Sequence, residues 1–305
     1  MSTSAHTYLN QALDIIQKHA LESRRVDWPT VRKDALQVAS EAKTERDTYV
    51  AIQFAINRLG DPHTLFFPPG KWIDAPESDY RDVSVPTGKI EPGGIAFLKL
   101  PGVFEGSRKY FDAGSAEIRR LDHSRPCGWI IDLRSNGGGN TWPMWTVLAP
   151  LYGDGPLVSF ADTKGRKSQV SLRDGRPLLD GKPVGSISNP YRLSRRSTVP
   201  IALLVGAVTA SAGEDIAVSF NGRNNVRSFG AETAGLLTGN EPFKLSDGAV
   251  LNVTTSNTVD TLGRVYGNSP FIPDELVGPK GMNQIDDSVV RAGMSWIKKQ
   301  PSCHT

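Results

Sequence analysis

Cysteine is nearly absent: of 305 residues, only Cys127 and Cys303 carry a thiol. Two such residues make no dense disulfide framework and no CxxC metal spacing, so both are expected as free thiols. No run of 18 apolar residues occurs, which leaves no helical membrane span in the sequence and no membrane partner. The start, Met1-Ser2-Thr3-Ser4-Ala5-His6, lacks the charged and apolar regions of a signal peptide, so a cytoplasmic location is the expectation. Five consecutive basic residues never occur and the net charge is only +3, so there is no nucleic-acid footprint. GxGxxG and GK[ST] are both missing, so no nucleotide cofactor is expected, and no metal is implied. Histidine is scarce as well, at five residues. What is there, 38% hydrophobic and 22% charged, suits one large globular domain or one domain with an appendage.

The opening is helical. Leu9, Leu13, Ile16 and Ala20 recur at helical spacing, as do Val31, Ala35, Val38 and Ala42, then Tyr49, Ile52, Ile56 and Leu59. Asp27 with Pro29 and Thr44 with Asp47 read as helix starts, and Gly60 as a stop. Residues 1–66 are therefore expected to form a small N-terminal helical unit. From Phe66 to Pro92 neither period is present, which reads as a linker or long loop. Strand and helix then alternate: Gly94 to Leu100, Gly106 to Leu121, Gly128 to Leu133, Thr141 to Leu148 and Leu157 to Phe160. The pattern predicts an α/β core over residues 67–305 with a partly parallel sheet. Asp174-Gly175 and Asp180-Gly181 are hairpin dipeptides and mark a β-rich insertion at about 163–190. Ile201 to Val205 resumes the core. A helix over Ala212 to Phe220, a hairpin at Asp247-Gly248 with its second arm at Val250 to Thr255, and a last helix from Asp287 to Lys299 complete the pattern.

Two apolar strand candidates end in turns that read as helix entrances, Ile130-Ile131-Asp132-Leu133-Arg134-Ser135-Asn136-Gly137-Gly138-Gly139 and Thr209-Ala210-Ser211-Ala212-Gly213-Glu214. Ligands collect at the carboxyl ends of such strands. The glycines leave backbone N–H groups unobstructed, and Gly138 is the chosen donor to a developing oxyanion. Ser211 stands among small neighbours where its hydroxyl is uncrowded, and the Ala212 N–H can join Gly138. The structural alternative for Ser211 is a helix cap, with Glu214 completing a capping box. A serine nucleophile needs a base. His63, in Gly60-Asp61-Pro62-His63-Thr64, is held by a turn that suits one, whereas His123 lies at the opposite, amino end of the strand feeding the glycine loop. Asp132 and Arg134 read as locks on the glycine turn. Trp142 and Trp145 read as pocket or core, with core stronger for one of them.

The ordered blocks Gly-Asp-Pro-His-Thr, Gly93-Gly94-Ile95-Ala96-Phe97-Leu98, Ile-Asp-Leu-Arg-Ser-Asn-Gly-Gly-Gly, Thr-Ala-Ser-Ala-Gly-Glu, Gly230-Ala231-Glu232-Thr233-Ala234-Gly235 and Ile272-Pro273-Asp274 resemble the tail-specific or C-terminal-processing protease family. That family includes the tricorn core protease and retinoid-carrying relatives, on a fold similar to Clp protease and crotonase. The resemblance covers roughly residues 45–280. It implies Ser211 as nucleophile, Gly138 and Ala212 as oxyanion hole, and a peptide or unfolded protein as substrate. The lysine base of many members falls on Leu236, and its supporting glutamine on Asn240, so the resemblance narrows to the histidine-using branch with His63 as base. The serine before the tricorn-type histidine is Pro62 here, and the stretch near the Pro-Asp motif offers Gly267-Asn268-Ser269, so no residue is assigned to orient His63. Only about 30 residues separate His63 from Gly94, too few for the PDZ domain many members carry.

These readings converge on a serine peptidase acting through an acyl-enzyme, without cofactor. The alternatives are a non-catalytic member of the same fold that holds an apolar ligand, and an esterase-type hydrolase.

Overall fold

A computed structural model describes residues 1–71, 84–104, 107–194, 199–278 and 287–304. In chain order its elements are α1 (Thr3–His19), α2 (Trp28–Val38), α3 (Tyr49–Leu59), β1 (Leu65–Phe67), β2 (Thr87–Glu91), β3 (Ile95–Lys99), α4 (Ser107–His123), β4 (Gly128–Asp132) and α5 (Thr141–Tyr152). There follow β5 (Gly155–Asp162), β6 (Lys167–Arg173), β7 (Arg176–Leu179), β8 (Lys182–Pro183), β9 (Ile201–Val205), α6 (Ala212–Ser219), β10 (Val226–Gly230), β11 (Thr238–Lys244), β12 (Val250–Val259), β13 (Glu275–Leu276) and α7 (Ser288–Lys298). No helix among the described residues is long and apolar enough to cross a membrane.

Two compact units emerge, and the division is not a single cut at residue 66. The first comprises Met1–Asp74, Ala161–Arg166 and Thr238–Asn257. Its helices start and stop where the sequence signals them: Asp27 caps α2 through Thr30, and Gly60, at φ +67°, closes α3. None of the helices can bury its apolar stripe alone. Leu9, Leu13 and Ile16 of α1, Val31 and Ala35 of α2 and Ile52 and Ile56 of α3 form one core with Leu245, Ala249, Leu251 and Val253. Leu251 and Val253 belong to an antiparallel trio in which β12 lies between β1 and β11, and Leu245 and Ala249 flank its hairpin turn. The trio is anchored at its Asp247-Gly248 turn, where Asp247 accepts hydrogen bonds from the hydroxyls of Tyr8, at 2.8 Å, and Tyr49.

The second unit comprises Ala75–Phe160, Lys167–Leu237 and Thr258–Thr305. Its six-stranded sheet runs β13-β10-β9-β4-β3-β2, parallel except for the antiparallel edge strand β2. Period-two alternation divides the side chains between two cores. Ala96, Leu98, Trp129, Ile131, Ile201, Leu203 and Val205 join one with residues of α4, α5 and α6. Ile95, Ile130, Ala202 and Leu204 join the other with Val289 and Ile297 of α7. Burial on both faces is why β4 and β9 are wholly apolar or nearly so. Beyond the sheet, β6, β7 and β8 form an antiparallel meander whose turns carry Asp174, Gly175, Asp180 and Gly181, all at positive φ.

Within the stretch expected to be a loop, β1 and β2 are strands, and residues 72–83 lie outside the described residues. At the sheet edge β2 buries no side chain fully, so its sequence carries no alternation to read.

The expectation of two free thiols is corrected. Cys127 and Cys303 form a disulfide with their Cα atoms 4.9 Å apart. It ties the turn before β4 to the segment after α7, and Ser302 Oγ donates to the Cys127 carbonyl beside it at 2.9 Å. Two cysteines 176 positions apart carry no spacing signal, because only the docking of α7 brings them together. A bond closing so long a loop restricts the unfolded chain strongly. Replacing Cys303 with serine is expected to lower unfolding stability by about 2–5 kcal/mol, read from urea titrations of parent and variant without reductant. Coincident curves would show that the bond contributes nothing.

Candidate active site

The two turns singled out from sequence leave neighbouring parallel strands at the same end. Asp132 of β4 is in register with Leu204 of β9, and Leu133 N–H donates to the Leu204 carbonyl at 2.8 Å. Beyond that pair the turns are stitched together. Thr209 Oγ1 donates to the Leu133 carbonyl at 2.9 Å, and Ala210 N–H to the Asn136 carbonyl at 3.0 Å. Asn136 is the centre of the stitching. It is fully buried, its Nδ2 donates to the Leu100 carbonyl at 3.1 Å, and its Oδ1 accepts from Gly138 N–H at 3.0 Å in an Asx turn.

Gly138 and Ser211 thereby lie side by side. A β-carbon placed on Gly138 would stand 3.0 Å from Ser211 Cβ and 3.5 Å from its Oγ, and φ at Gly138 is +104°, so no other residue suits the position. Gly213 is required for a similar reason: a β-carbon there would meet the Asn136 carbonyl oxygen at 2.6 Å. Ser211 itself has φ +50° and ψ −117°, a conformation that costs a non-glycine residue about 1–3 kcal/mol. It is half-buried, the last residue before α6. A serine on a sharp, strained strand-to-helix turn has its hydroxyl presented rather than packed. Ala212 opens α6, so its N–H is one of the helix-end amides without an intrahelical partner. The Gly138 amide, by contrast, is engaged by Asn136.

Glu214 carries more than a capping role. Its carboxylate is fully buried, and one oxygen accepts from Ser211 N–H and Leu236 N–H, both at 2.8 Å. The other accepts from Gly235 N–H at 2.8 Å and from the Thr233 hydroxyl. Four donors satisfy a charge that would otherwise be costly to bury. They also fix the Ser211 turn to the Gly230–Leu236 block. The capping-box spacing made the Ser211 contact legible, whereas the three donors from 233–236 had no local signal.

Asp132 and Arg134 are locks, as expected. Arg134 pairs with Asp132 through Nη2 at 2.8 Å and through Nη1 at 2.7 Å with Asp287, the residue that caps α7. Trp145 is core, with Nε1 3.2 Å from Ser219 Oγ, and half-buried Trp142 packs edge-on against it.

His63 belongs to the first unit. Its N–H donates to Asp61 Oδ1 at 3.0 Å and its carbonyl accepts from Asn240 Nδ2 at 2.7 Å, which pins the backbone on both sides. Nδ1 lies 2.6 Å from Thr238 Oγ1. Burial holds the imidazole below its ordinary pKa, with the Asp61 charge acting in the opposite direction. Thr238 and Asn240 were not readable as partners of His63, because strand β11 was not foreseen beside the helical unit. Of the other histidines, His123 is exposed at the end of α4, before β4, with Nδ1 2.6 Å from the Arg119 carbonyl oxygen. His19 packs at a tilt against Phe243 with ring centroids 4.5 Å apart.

Asp215, the residue after Glu214, was also missed. It is buried with one oxygen 2.9 Å from Thr258 Oγ1, and its pKa is pushed up to about 7 by burial, which outweighs the Thr258 hydrogen bond, with the Glu214 charge adding to the rise. The folded-state value lies above the ordinary 3.8, so the associated stability is fully present below pH 3.8 and is lost as pH rises to about 7. Asp215→Asn is expected to flatten that fall, on the order of 4 kcal/mol over this interval. Urea midpoints at pH 5 and pH 8 check it, and an equal fall in parent and variant would remove Asp215 as its source.

Comparison with known proteins gives the family and the fold. The nisin-resistance protein of Lactococcus lactis subsp. lactis is 27% identical over 297 residues, which span 97% of this chain and 88% of that protein. A lipoprotein structure from Streptococcus agalactiae superposes with a TM-score of 0.80 at 26% identity, over 98% of this chain and 97% of that one. The photosystem II D1 C-terminal processing protease superposes with a TM-score of 0.65 at 17% identity, covering 95% and 97% of the two chains, a likeness of fold. Residues 94–277, more than half of the chain and the stretch that holds both turns, match the description Peptidase family S41. This chain belongs to that family.

Proposed function

We infer that the protein is a serine peptidase that hydrolyses peptide bonds through an acyl-enzyme. The observation that carries the reading is the strained Ser211 turn lying against Gly138 at the carboxyl ends of adjacent parallel strands, in a chain of Peptidase family S41. In this reading Ser211 Oγ attacks the scissile carbonyl while His63 takes its proton. The amides of Ala212 and Gly138 hold the tetrahedral oxyanion, with Gly138 sharing or exchanging its bond to Asn136. The imidazolium then returns the proton to the leaving amine, and water repeats the sequence to release the acyl group. Leu236 carries no charge, which leaves a histidine to supply the base. The disulfide supports an oxidising compartment as the place of work, in contrast to the cytoplasmic expectation.

One observation favours a second reading, a non-catalytic ligand-binding member: the Gly138 amide is already satisfied by Asn136. A fluorophosphonate probe separates the two, because a carrier leaves Ser211 unlabelled.

Ser211→Ala and His63→Ala are each expected to lower cleavage of unstructured peptides by at least about 100-fold. The name of the Lactococcus relative makes nisin one peptide to include in the panel. Parent-like turnover by the serine variant would end the peptidase reading. The pH profile is a second readout. A base must be neutral, and burial holds His63 below 6.5, so the acid limb of kcat/KM is expected below pH 6.5. An acid limb at or above that value would remove His63 as the group responsible.

A further inference from the structure

We propose that Thr238 is the positioning residue for the His63 imidazole, holding it in the tautomer with the proton on Nδ1 and the lone pair on Nε2. The proposal rests on the reading of His63 as the base. The family resemblance leaves the orienter unassigned, since it puts Pro62 and the Gly267-Asn268-Ser269 stretch at the places of the tricorn-type partners. In the structure the ring partner comes from β11 instead, with Thr238 Oγ1 2.6 Å from His63 Nδ1. Both residues are buried, with Thr238 4% and His63 9% exposed, so bulk water does not compete freely for that nitrogen.

The neighbouring groups are committed elsewhere. The oxygens of Asp61, the acidic residue beside the ring, accept from His63 N–H and from the Thr64 hydroxyl. Asn240 Nδ2 is spent on the His63 carbonyl. Thr238 and Asn240 flank a register shift between Gly239 and Asn240, a β-bulge of the kind that re-aims side chains beside functional sites. One strand thus holds the histidine twice, by backbone through Asn240 and by ring through Thr238.

The chemistry follows from proton counting. A neutral imidazole has one N–H, and a base acting through Nε2 needs that proton on Nδ1. A hydroxyl can accept it. Unlike a carboxylate, however, a hydroxyl brings no negative charge to offset the imidazolium that forms during the reaction. Thr238 therefore sets direction and tautomer without the electrostatic assistance that a triad carboxylate supplies.

Thr238→Val keeps the side-chain shape and removes the hydroxyl, and Thr238→Ser restores it. The valine variant is expected to lower kcat roughly 10–100-fold with KM little changed, and the serine variant to recover most of the loss. Nitrogen-15 NMR of the imidazoles, with the His63 signals assigned by their disappearance in His63→Gln, reads the tautomer independently of activity. The parent is expected as the Nδ1–H form, and the valine variant as a mixture or as the Nε2–H form. A parent in the Nε2–H form, or a valine variant with parental tautomer and parental kcat, overturns the assignment of Thr238 even if His63→Ala is inactive. If His63→Ala instead keeps full activity, the base reading falls, and with it the catalytic part of this proposal, while the tautomer spectrum still decides whether Thr238 holds the ring.

Discussion

The second unit is organised around a buried carboxylate. Glu214 sits in the first turn of α6 with no exposed surface, and its two oxygens take four hydrogen bonds from Ser211, Thr233, Gly235 and Leu236. A buried charge is tolerable only when it is satisfied, so the loop that supplies three of those donors cannot move away without leaving Glu214 unsatisfied. The fourth donor is the amide of the strained serine. Strain at Ser211 persists because the surroundings over-determine it, and Glu214 is the largest part of those surroundings. The same residue type that caps a helix in its simplest use here holds the strained Ser211 turn in shape.

Asn136 does for the glycine loop what Glu214 does for the serine turn. Its amide reaches the Leu100 carbonyl and the Gly138 N–H, and its own carbonyl accepts from Ala210. The parallel pairing of β4 and β9 puts the two turns beside each other, but strand pairing fixes only where the chain leaves the sheet. The Asn136 bonds, together with the absence of β-carbons at Gly138 and Gly213, bring the segments to contact distance. A single buried amide side chain and two glycines are a small set of residues on which to hang a site, and each is intolerant of enlargement for a stated steric reason.

Local patterns made much of this legible. The apolar runs of β4 and β9, the helical spacing of α1 to α3, the Asp-Gly turns of the meander and the two turns with Gly138, Ser211 and Ala212 are all written within a few residues of themselves. What was not legible depends on partners far away in the chain. The trio of β1, β11 and β12 that completes the helical unit joins residues 65–67 to a hairpin about 180 positions later, and no period in either segment announces the other. Cys127 and Cys303 meet for the same kind of reason, through the docking of α7. Thr238 is a threonine in a strand, which is ordinary, and only its distance to His63 gives it meaning. Edge strand β2 escaped because an exposed strand has no buried face to pattern.

Leu236 links these observations to the base proposed for the reaction. Where the family resemblance puts a lysine, this chain has an aliphatic side chain, and the position contributes its backbone N–H to Glu214. A buried ammonium base works by having its charge disfavoured, so that it is neutral and nucleophile-activating near neutral pH. His63 reaches neutrality by a milder route: an imidazole needs only modest burial, and burial is the first cause of its lowered pKa. The partner requirement changes accordingly. A neutral lysine amine still carries two N–H donors on a flexible stem, whereas a neutral imidazole carries one N–H at one ring nitrogen, and a single threonine hydroxyl can accept it. An aliphatic residue at 236 and a hydroxyl at 238 are thus chemically consistent with the proposed histidine base, within one short segment, Leu236 to Thr238.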